Sequence, residues 1–203
     1  METRTPDKVV LASGNAGKIR EIADIFSGLN LKIVAQTEFG LESAEETGAT
    51  FVENALLKAR YAAEKTGLAA MADDSGIIVD ALHGRPGIHS ARYAGATATD
   101  DENLELLLQE LDTIPDNERG AGFHCAAVLV FPSDKSSPLI AEAVWRGSIL
   151  RQRRGTGGFG YDPVFLDGAS GKTGAEMSRE EKNSVSHRGR AFRSLRELLQ
   201  QNG

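Results

Sequence analysis

Apolar positions along the chain change rhythm several times, and each change predicts an element. Lys8 to Ala12 (KVVLA) is a short apolar run of the kind a buried strand makes. Ser13-Gly14-Asn15-Ala16-Gly17 is turn chemistry leading into a helix, on which Ile19, Ile22, Ala23, Phe26 and Leu29 share a face. Leu31 to Gln36 predicts a second strand, so the chain opens as a βαβ-like unit. After an acidic loop from Thr37 to Ala49, Thr50 and Glu53 have capping-box spacing and begin a long helix striped by Val52, Ala55, Leu56, Ala59, Ala62 and Ala63. Leu68 to Ala72 and Ile77 to Leu82 predict two short strands separated by Asp73-Asp74-Ser75-Gly76.

A glycine-rich loop from Gly84 to Gly95 precedes a second boxed helix start, Thr99 with Glu102, striped by Leu104, Leu107, Leu108 and Leu111. Phe123 to Phe131 and Leu139 to Leu150 predict a long antiparallel pair, followed by a glycine-rich turn and a strand from Pro163 to Leu166. A last helix beginning near His187 buries Phe192, Leu195, Leu198 and Leu199. Neither a repeat nor a low-complexity linker interrupts the pattern.

The 203 residues fit one large α/β domain over 1–203, or two small lobes sharing a sheet, better than two independent domains. Net charge is −6, from 23 basic and 29 acidic side chains, which disfavours a polynucleotide partner but leaves room for a small anion held by a few lysines. Arg151-Gln152-Arg153-Arg154 reads as a solvated loop rather than a nucleic-acid patch. The one cysteine, Cys125, sits in an apolar run and reads as an inert buried thiol in a reducing compartment. With no apolar stretch of membrane length and no signal-peptide core at the N-terminus, a cytoplasmic protein with no membrane partner is expected.

Four segments carry candidate chemistry. Ser13-Gly14-Asn15-Ala16-Gly17-Lys18 lies between a strand and a helix start, where backbone N–H groups and the helix dipole favour an anion; a tight turn with a solvated lysine is the equal alternative. Asp73 and Asp74 are adjacent like charges that need a cation or proton between them, unless they cap a β-turn; hard-metal ligation is the favoured reading because Glu45 and Glu46 offer a second carboxylate pair. Phe159-Gly160-Tyr161-Asp162 combines two rings with a carboxylate, which suits a stacked base, although aromatic anchors in a hairpin are the better reading of this segment alone. Lys182 and Arg188 are cations able to hold phosphate or a carbonyl oxygen, or else a solvated helix face. His83, His89 and His124 have no partner at ligand spacing.

In order along the chain, SGNAGK (13–18), TFVENALLKA (50–59), ADDSG (72–76), PGIHSARYAG (86–95), GTGGFGYDPVF (155–165) and EKNSVSHRGRA (181–191) resemble the non-canonical purine triphosphate pyrophosphatases, the Ham1-like or inosine triphosphatase family. The resemblance implies an α/β fold on an elongated central mixed β-sheet flanked by helices, in two lobes with the active-site cleft between them, and a homodimer. It implies magnesium-dependent hydrolysis of ITP, dITP or XTP to monophosphate and pyrophosphate. Asp74 matches the family's general base, and Glu45, Glu46 and Asp74 its metal site, with Glu45 the favoured ligand of the acidic loop and Glu46 its alternative. Ser13, Gly14, Asn15, Ala16, Gly17, Lys18, Ser75, Phe159, Gly160, Tyr161, Asp162, Lys182, His187 and Arg188 match its substrate-binding positions. Two other readings compete: a Maf-like pyrophosphatase for modified pyrimidine nucleotides, and a non-catalytic nucleotide sensor, against which the paired carboxylates argue.

Overall fold

A computed structural model describes residues 6–132 and 137–202. The N-terminal residues 1–5, which the leader reading above includes, lie outside the described residues. The elements are β1 (Lys8–Leu11), α1 (Ala16–Ile25), β2 (Lys32–Ala35), α2 (Phe51–Thr66), β3 (Ala69–Val79), α3 (Asp100–Glu110), β4 (Gly120–Val130), β5 (Leu139–Ile149), β6 (Phe165–Leu166), α4 (Arg179–Val185) and α5 (His187–Gln201). They make a mixed, six-stranded α/β architecture with sheet order β2-β1-β3-β4-β5-β6. β1 runs parallel to β2 and β3, with Val9 opposite Ile33 and Ala69, whereas β5 and β6 are antiparallel.

The described residues form two compact units. The first takes residues up to Asp74, Cys125 to Ala143, and those from Arg188 onward; the second takes Ser75–His124 and Val144–His187. In the first unit, Val9, Leu11, Ile22, Phe26, Met71, Cys125, Phe192 and Leu195 form the core, with Phe26 and Phe192 edge to face. Cys125 is the expected buried thiol. In the second, Ile77, Val79, Leu104, Leu107, Phe123, Trp145, Tyr161 and Phe165 pack together, and Phe123 and Trp145 stack at 6.1 Å. Two buried side chains bring hydrogen-bond donors into this second core. Trp145 Nε1 donates to Asp167 Oδ1 at 2.9 Å, and the buried Arg119 guanidinium donates to the carbonyls of Leu111, Ile149 and Leu150. Arg119 thereby fixes the C-terminus of α3 to the point where the chain leaves β5.

Helix starts follow the sequence signals. Thr50 Oγ1 accepts from the Glu53 amide, and Glu53 reaches back to the Ala49 amide rather than to Thr50 itself. Thr99 and Glu102 form a full reciprocal box. The described helices include none long and apolar enough to cross a membrane.

Two expectations are corrected and one helix is added. The two short strands flanking Asp73-Asp74-Ser75-Gly76 are one continuous strand, β3, because the two carboxylates find cations from other elements and need no turn amides. The last helix begins at His187 as expected, and a further short helix, α4, precedes it: Ser178 and Glu181 box its start, an S-x-x-E pattern present in the sequence, and Ser186 at φ −67, ψ 156 breaks the chain before α5. Ala23 is exposed, and Ile25 packs on the core in its place.

At β5, a Cβ on Gly147 would sit 2.2 Å from the Leu166 carbonyl oxygen and 2.7 Å from Phe165 Cζ. A paired backbone carbonyl cannot retreat, so Gly147→Ala is expected to destabilise the protein by about 1–3 kcal/mol, read as a lower urea midpoint at unchanged m-value. An unchanged midpoint would show that the β5–β6 contact is softer than the geometry requires.

Candidate functional site

In the first unit the site grows from the end of β1. Asn15 caps α1: its Oδ1 accepts from the Gly17 amide at 2.9 Å and the Lys18 amide at 3.0 Å, while the Asn15 amide donates to Ser13 Oγ at 3.1 Å. A Cβ on Gly17 would lie 3.1 Å from that Oδ1, a tight contact that the cap would have to yield to. The exposed Gly14 completes the turn, and Ala16 opens the helix backbone. Lys18, in the first helical turn, extends to Asp73 Oδ2 at 3.0 Å.

Asp73 has a side chain only 2% exposed and is the charge centre of this unit. Its Oδ2 accepts from Lys18 Nζ and, at 3.4 Å, from Arg188 Nε; Arg188 NH1 donates to Glu21 at 3.0 Å. Burial alone would raise the Asp73 pKa, but the charges of Lys18, Arg188 and Lys58 outweigh it and hold the carboxyl far below the usual carboxylate range. Asp73 is therefore a permanent anion, and Arg188, raised against its own burial by Asp73 and Glu21, a permanent cation. Breaking such a buried pair by removing one partner commonly costs about 3–5 kcal/mol.

Asp74 sits in a different balance. Lys58 Nζ donates to Asp74 Oδ1 at 2.8 Å and to Glu46 Oε1 at 2.7 Å, and Asn54 Nδ2 donates to Asp74 Oδ2 at 3.3 Å. Burial is the strongest influence on Asp74 and pushes its pKa up, with Glu46 adding to the rise and Lys58 opposing it. Lys58 is itself disfavoured by burial, yet Asp74 and Asp73 raise its pKa, so it stays charged. Asn54 also accepts from the Gly48 amide at 2.8 Å, fixing the acidic loop to α2.

The expected trio of Glu45, Glu46 and Asp74 does not assemble: no group of three or more His, Cys, Asp or Glu side chains able to hold a metal occurs among the described residues. Glu45 is exposed, and only Glu46 of the acidic pair reaches the lysine that binds Asp74. Lys58, Asn54 and Glu21 were assigned no role from the sequence. A signal for two of them was present, since Asn54 and Lys58 are polar residues four apart, one helical turn, beside an alanine stripe.

In the second unit a separate constellation forms around Asp162. Asp162 is buried and its Oδ2 accepts from the Phe159 amide at 2.8 Å and from Lys182 Nζ. Lys182 Nζ also lies 4.7 Å from the centroid of the Phe159 ring, which is 39% exposed and so presents an aromatic face to solvent. A Cβ on Gly158, at φ +73, would overlap the Asp162 carboxylate, so the loop closes on that group only with glycine.

The Gly160 amide donates to Asp100 Oδ2 at 2.9 Å, and Tyr161, buried in the core, donates its hydroxyl to the Ser90 carbonyl at 2.8 Å. The arginine run is not simply solvated. Arg151 forks onto Asp116 and two carbonyls, Arg153 onto Asp101 and Glu105, and Arg154 onto Glu176 and the Gly171 carbonyl. His187 stacks on Phe123 at 4.8 Å with the planes 10° apart, and Ser75 is half-buried on β3. Within this unit Phe159, Asp162 and Lys182 are brought together; His187 belongs to the aromatic stack, and Tyr161 supports the loop from below.

A model of the Ham1 family matches residues 9–198. A dITP/XTP pyrophosphatase of Shigella flexneri is 56% identical over 192 residues, covering 95% of this chain and 98% of that protein. Among solved structures, a HAM1 protein from Coxiella burnetii superposes with a TM-score of 0.89 at 46% identity, over 96% of this chain and 98% of that one. The Ham1 protein of Staphylococcus aureus gives 0.86 at 38% identity, over 97% of this chain and 100% of that one.

Asn54 joins the acidic loop to Asp74 through two hydrogen bonds, so Asn54→Ala strands the Gly48 amide and removes a donor from a buried carboxylate. A loss of about 1–3 kcal/mol in chemical denaturation is expected. Wild-type stability in this variant would mean that water replaces both bonds without cost.

Proposed function

The chain belongs to the Ham1 family, and on that premise we propose that it is a nucleoside-triphosphate pyrophosphatase that hydrolyses dITP, XTP and ITP to the monophosphate and pyrophosphate with magnesium. The observation that carries this reading is the pairing of two unlike aspartates on β3: Asp73, held ionised among three cations, and Asp74, raised by burial and oriented by Lys58 and Asn54. Neighbouring carboxyl groups driven apart in pKa are the pattern expected where one binds charge and the other handles a proton.

The metal reading rests on the donor set. Glu46 Oε1 and Asp74 Oδ1 converge on one cation, the Lys58 ammonium, at 2.7 and 2.8 Å, and two hard oxygens together with water and substrate oxygens suit magnesium. Glu46 and Asp74 would hold the ion, which when bound supplies charge neutralisation to the phosphates and acidifies a water.

Asp74 then accepts a proton from the attacking water as its oxygen bonds to the α-phosphorus. The bond from the α-phosphorus to the bridging oxygen breaks, and pyrophosphate leaves with that electron pair. Lys18 stabilises the departing charge, in place of its contact with Asp73. The Gly17 and Lys18 amides are already bonded to Asn15, so a phosphate oxygen there competes with the cap rather than filling an open cradle.

For the base, the exposed Phe159 ring offers a stacking face, with Lys182 and Asp162 beside it. A 6-oxo purine presents O6 as an acceptor and N1–H as a donor, the reverse of adenine. A fixed donor accepts the first pattern and rejects the second, and in the first unit Arg188, held by Asp73 and Glu21, is a donor of that kind. The protein acts on free nucleotides and takes no polynucleotide, in keeping with arginines at 151, 153 and 154 already committed to acidic partners. The family resemblance supports a homodimer in the cytoplasm.

A panel of triphosphates scored by pyrophosphate release tests the reading. Inosine and xanthosine triphosphates should be cleaved far faster than ATP, GTP or modified pyrimidine triphosphates, and EDTA should abolish release. Preference for a modified pyrimidine would transfer the protein to the Maf-like activity, and tight binding without release would make it a sensor.

Asp74→Asn should retain the native melting temperature within a few degrees and lose roughly 10² to 10⁴-fold in kcat, because an amide of the same shape cannot take the proton. Near-native turnover would remove Asp74 from the role of base.

A further inference from the structure

Asp73 carries no assigned step in the reaction, yet it is the most deeply buried charge of the first unit. A single oxygen of it, Oδ2, receives both Lys18 Nζ at 3.0 Å and Arg188 Nε at 3.4 Å. Those two cations come from opposite ends of the chain, Lys18 from the first turn of α1 and Arg188 from the first turn of α5. Under the function proposed above, Lys18 serves the phosphate chain and Arg188 the edge of the base. We infer that Asp73 is a positioning residue that couples capture of the phosphate chain to recognition of the base, through the one oxygen that Lys18 and Arg188 share.

The physical argument is competition for that oxygen. Arg188 is held on its other side by Glu21 through NH1 at 3.0 Å, and both Arg188 and Asp73 have side chains no more than 4% exposed, so water cannot substitute for either partner. Lys18, at 22% exposure, is the more accessible of the two donors. When a phosphate oxygen draws the Lys18 ammonium away, the Asp73 charge falls on Arg188 more fully and fixes the guanidinium at a distance and angle set by Asp73 and Glu21 together. A fixed donor discriminates between O6 and an amino group, whereas a mobile one adapts to either. Lys58 adds positive charge near Asp73 without sharing this oxygen in a hydrogen bond, so its part is electrostatic.

This inference rests on the proposed pyrophosphatase activity, and its test is arranged so that the two fail differently. Kinetic constants are measured for inosine and adenosine triphosphates with Asp73→Asn, and for Lys18→Ala, Arg188→Ala and the double variant with Asp73 intact. Asparagine keeps the shape of the side chain but carries no charge for two cations to share. The expected result for Asp73→Asn is a KM for inosine triphosphate raised roughly tenfold and a narrowed ratio of kcat/KM between the two substrates. A purely structural role would lower kcat for both substrates alike and leave KM and the ratio in place, which would overturn the proposal.

In the cycle with Asp73 intact, the double variant should depart from the product of the single effects by roughly fivefold or more. Effects that simply multiply would overturn the coupling even where Asp73→Asn fails to fold, since the cycle keeps the native aspartate. Failure of the parent reading looks different: the native protein would then show no preference for inosine triphosphate at all.

Discussion

A carboxylate placed in the middle of a buried strand must meet positive charge from somewhere else in the chain, and Asp73 imposes that demand on the first unit. Isolated in a low-dielectric interior it would be protonated; surrounded by Lys18, Arg188 and Lys58 it is held as an anion. The three cations come from α1, α5 and α2 respectively, so one buried charge specifies how three helices meet one strand. Asp74, one residue along, is governed instead by burial, Lys58, Glu46 and Asn54. Alternation along β3 separates a carboxyl held ionised from one whose pKa burial pushes up.

Much of this was legible in the sequence, and the reasons are local. Strand and helix periodicity located β1, α1, β2, α2, α3 and β4, since each couples an apolar rhythm to a cap or turn that single residues announce. Asp74, Lys18, Asp162 and Lys182 stood out because charge in an apolar or glycine-rich setting is anomalous. What failed has a physical cause in each case. Asp73-Asp74-Ser75-Gly76 carries strong turn propensity, and only distant lysines and an arginine allow it to run on as strand. In the acidic loop the sequence favoured Glu45 over its neighbour, whereas it is Glu46 that shares Lys58 with Asp74, a contact that depends on where α2 packs. Partners such as Glu21 and Arg188, 167 residues apart, leave no trace in local pattern.

The second unit solves a different problem, that of keeping a glycine-rich loop in one conformation. Its glycines admit close backbone approach but contribute no packing, so order is supplied from outside. The Tyr161 hydroxyl reaches the Ser90 carbonyl, Asp100 holds the Gly160 amide, and Arg153 and Arg154 are forked onto acidic side chains. Individually exposed ion pairs of this kind contribute little stability. Collectively they limit where the loop that carries the Phe159 ring can go.

Lys58 has a consequence for how the protein comes to exist. Two acidic side chains poised to share an ion would repel one another in a chain that folds before any ion arrives. With the ammonium of α2 lodged between Glu46 and Asp74, the polypeptide carries its own counter-charge there. Under the magnesium reading proposed above, an entering ion would meet oxygens already arranged and would displace a tethered group that stays close by.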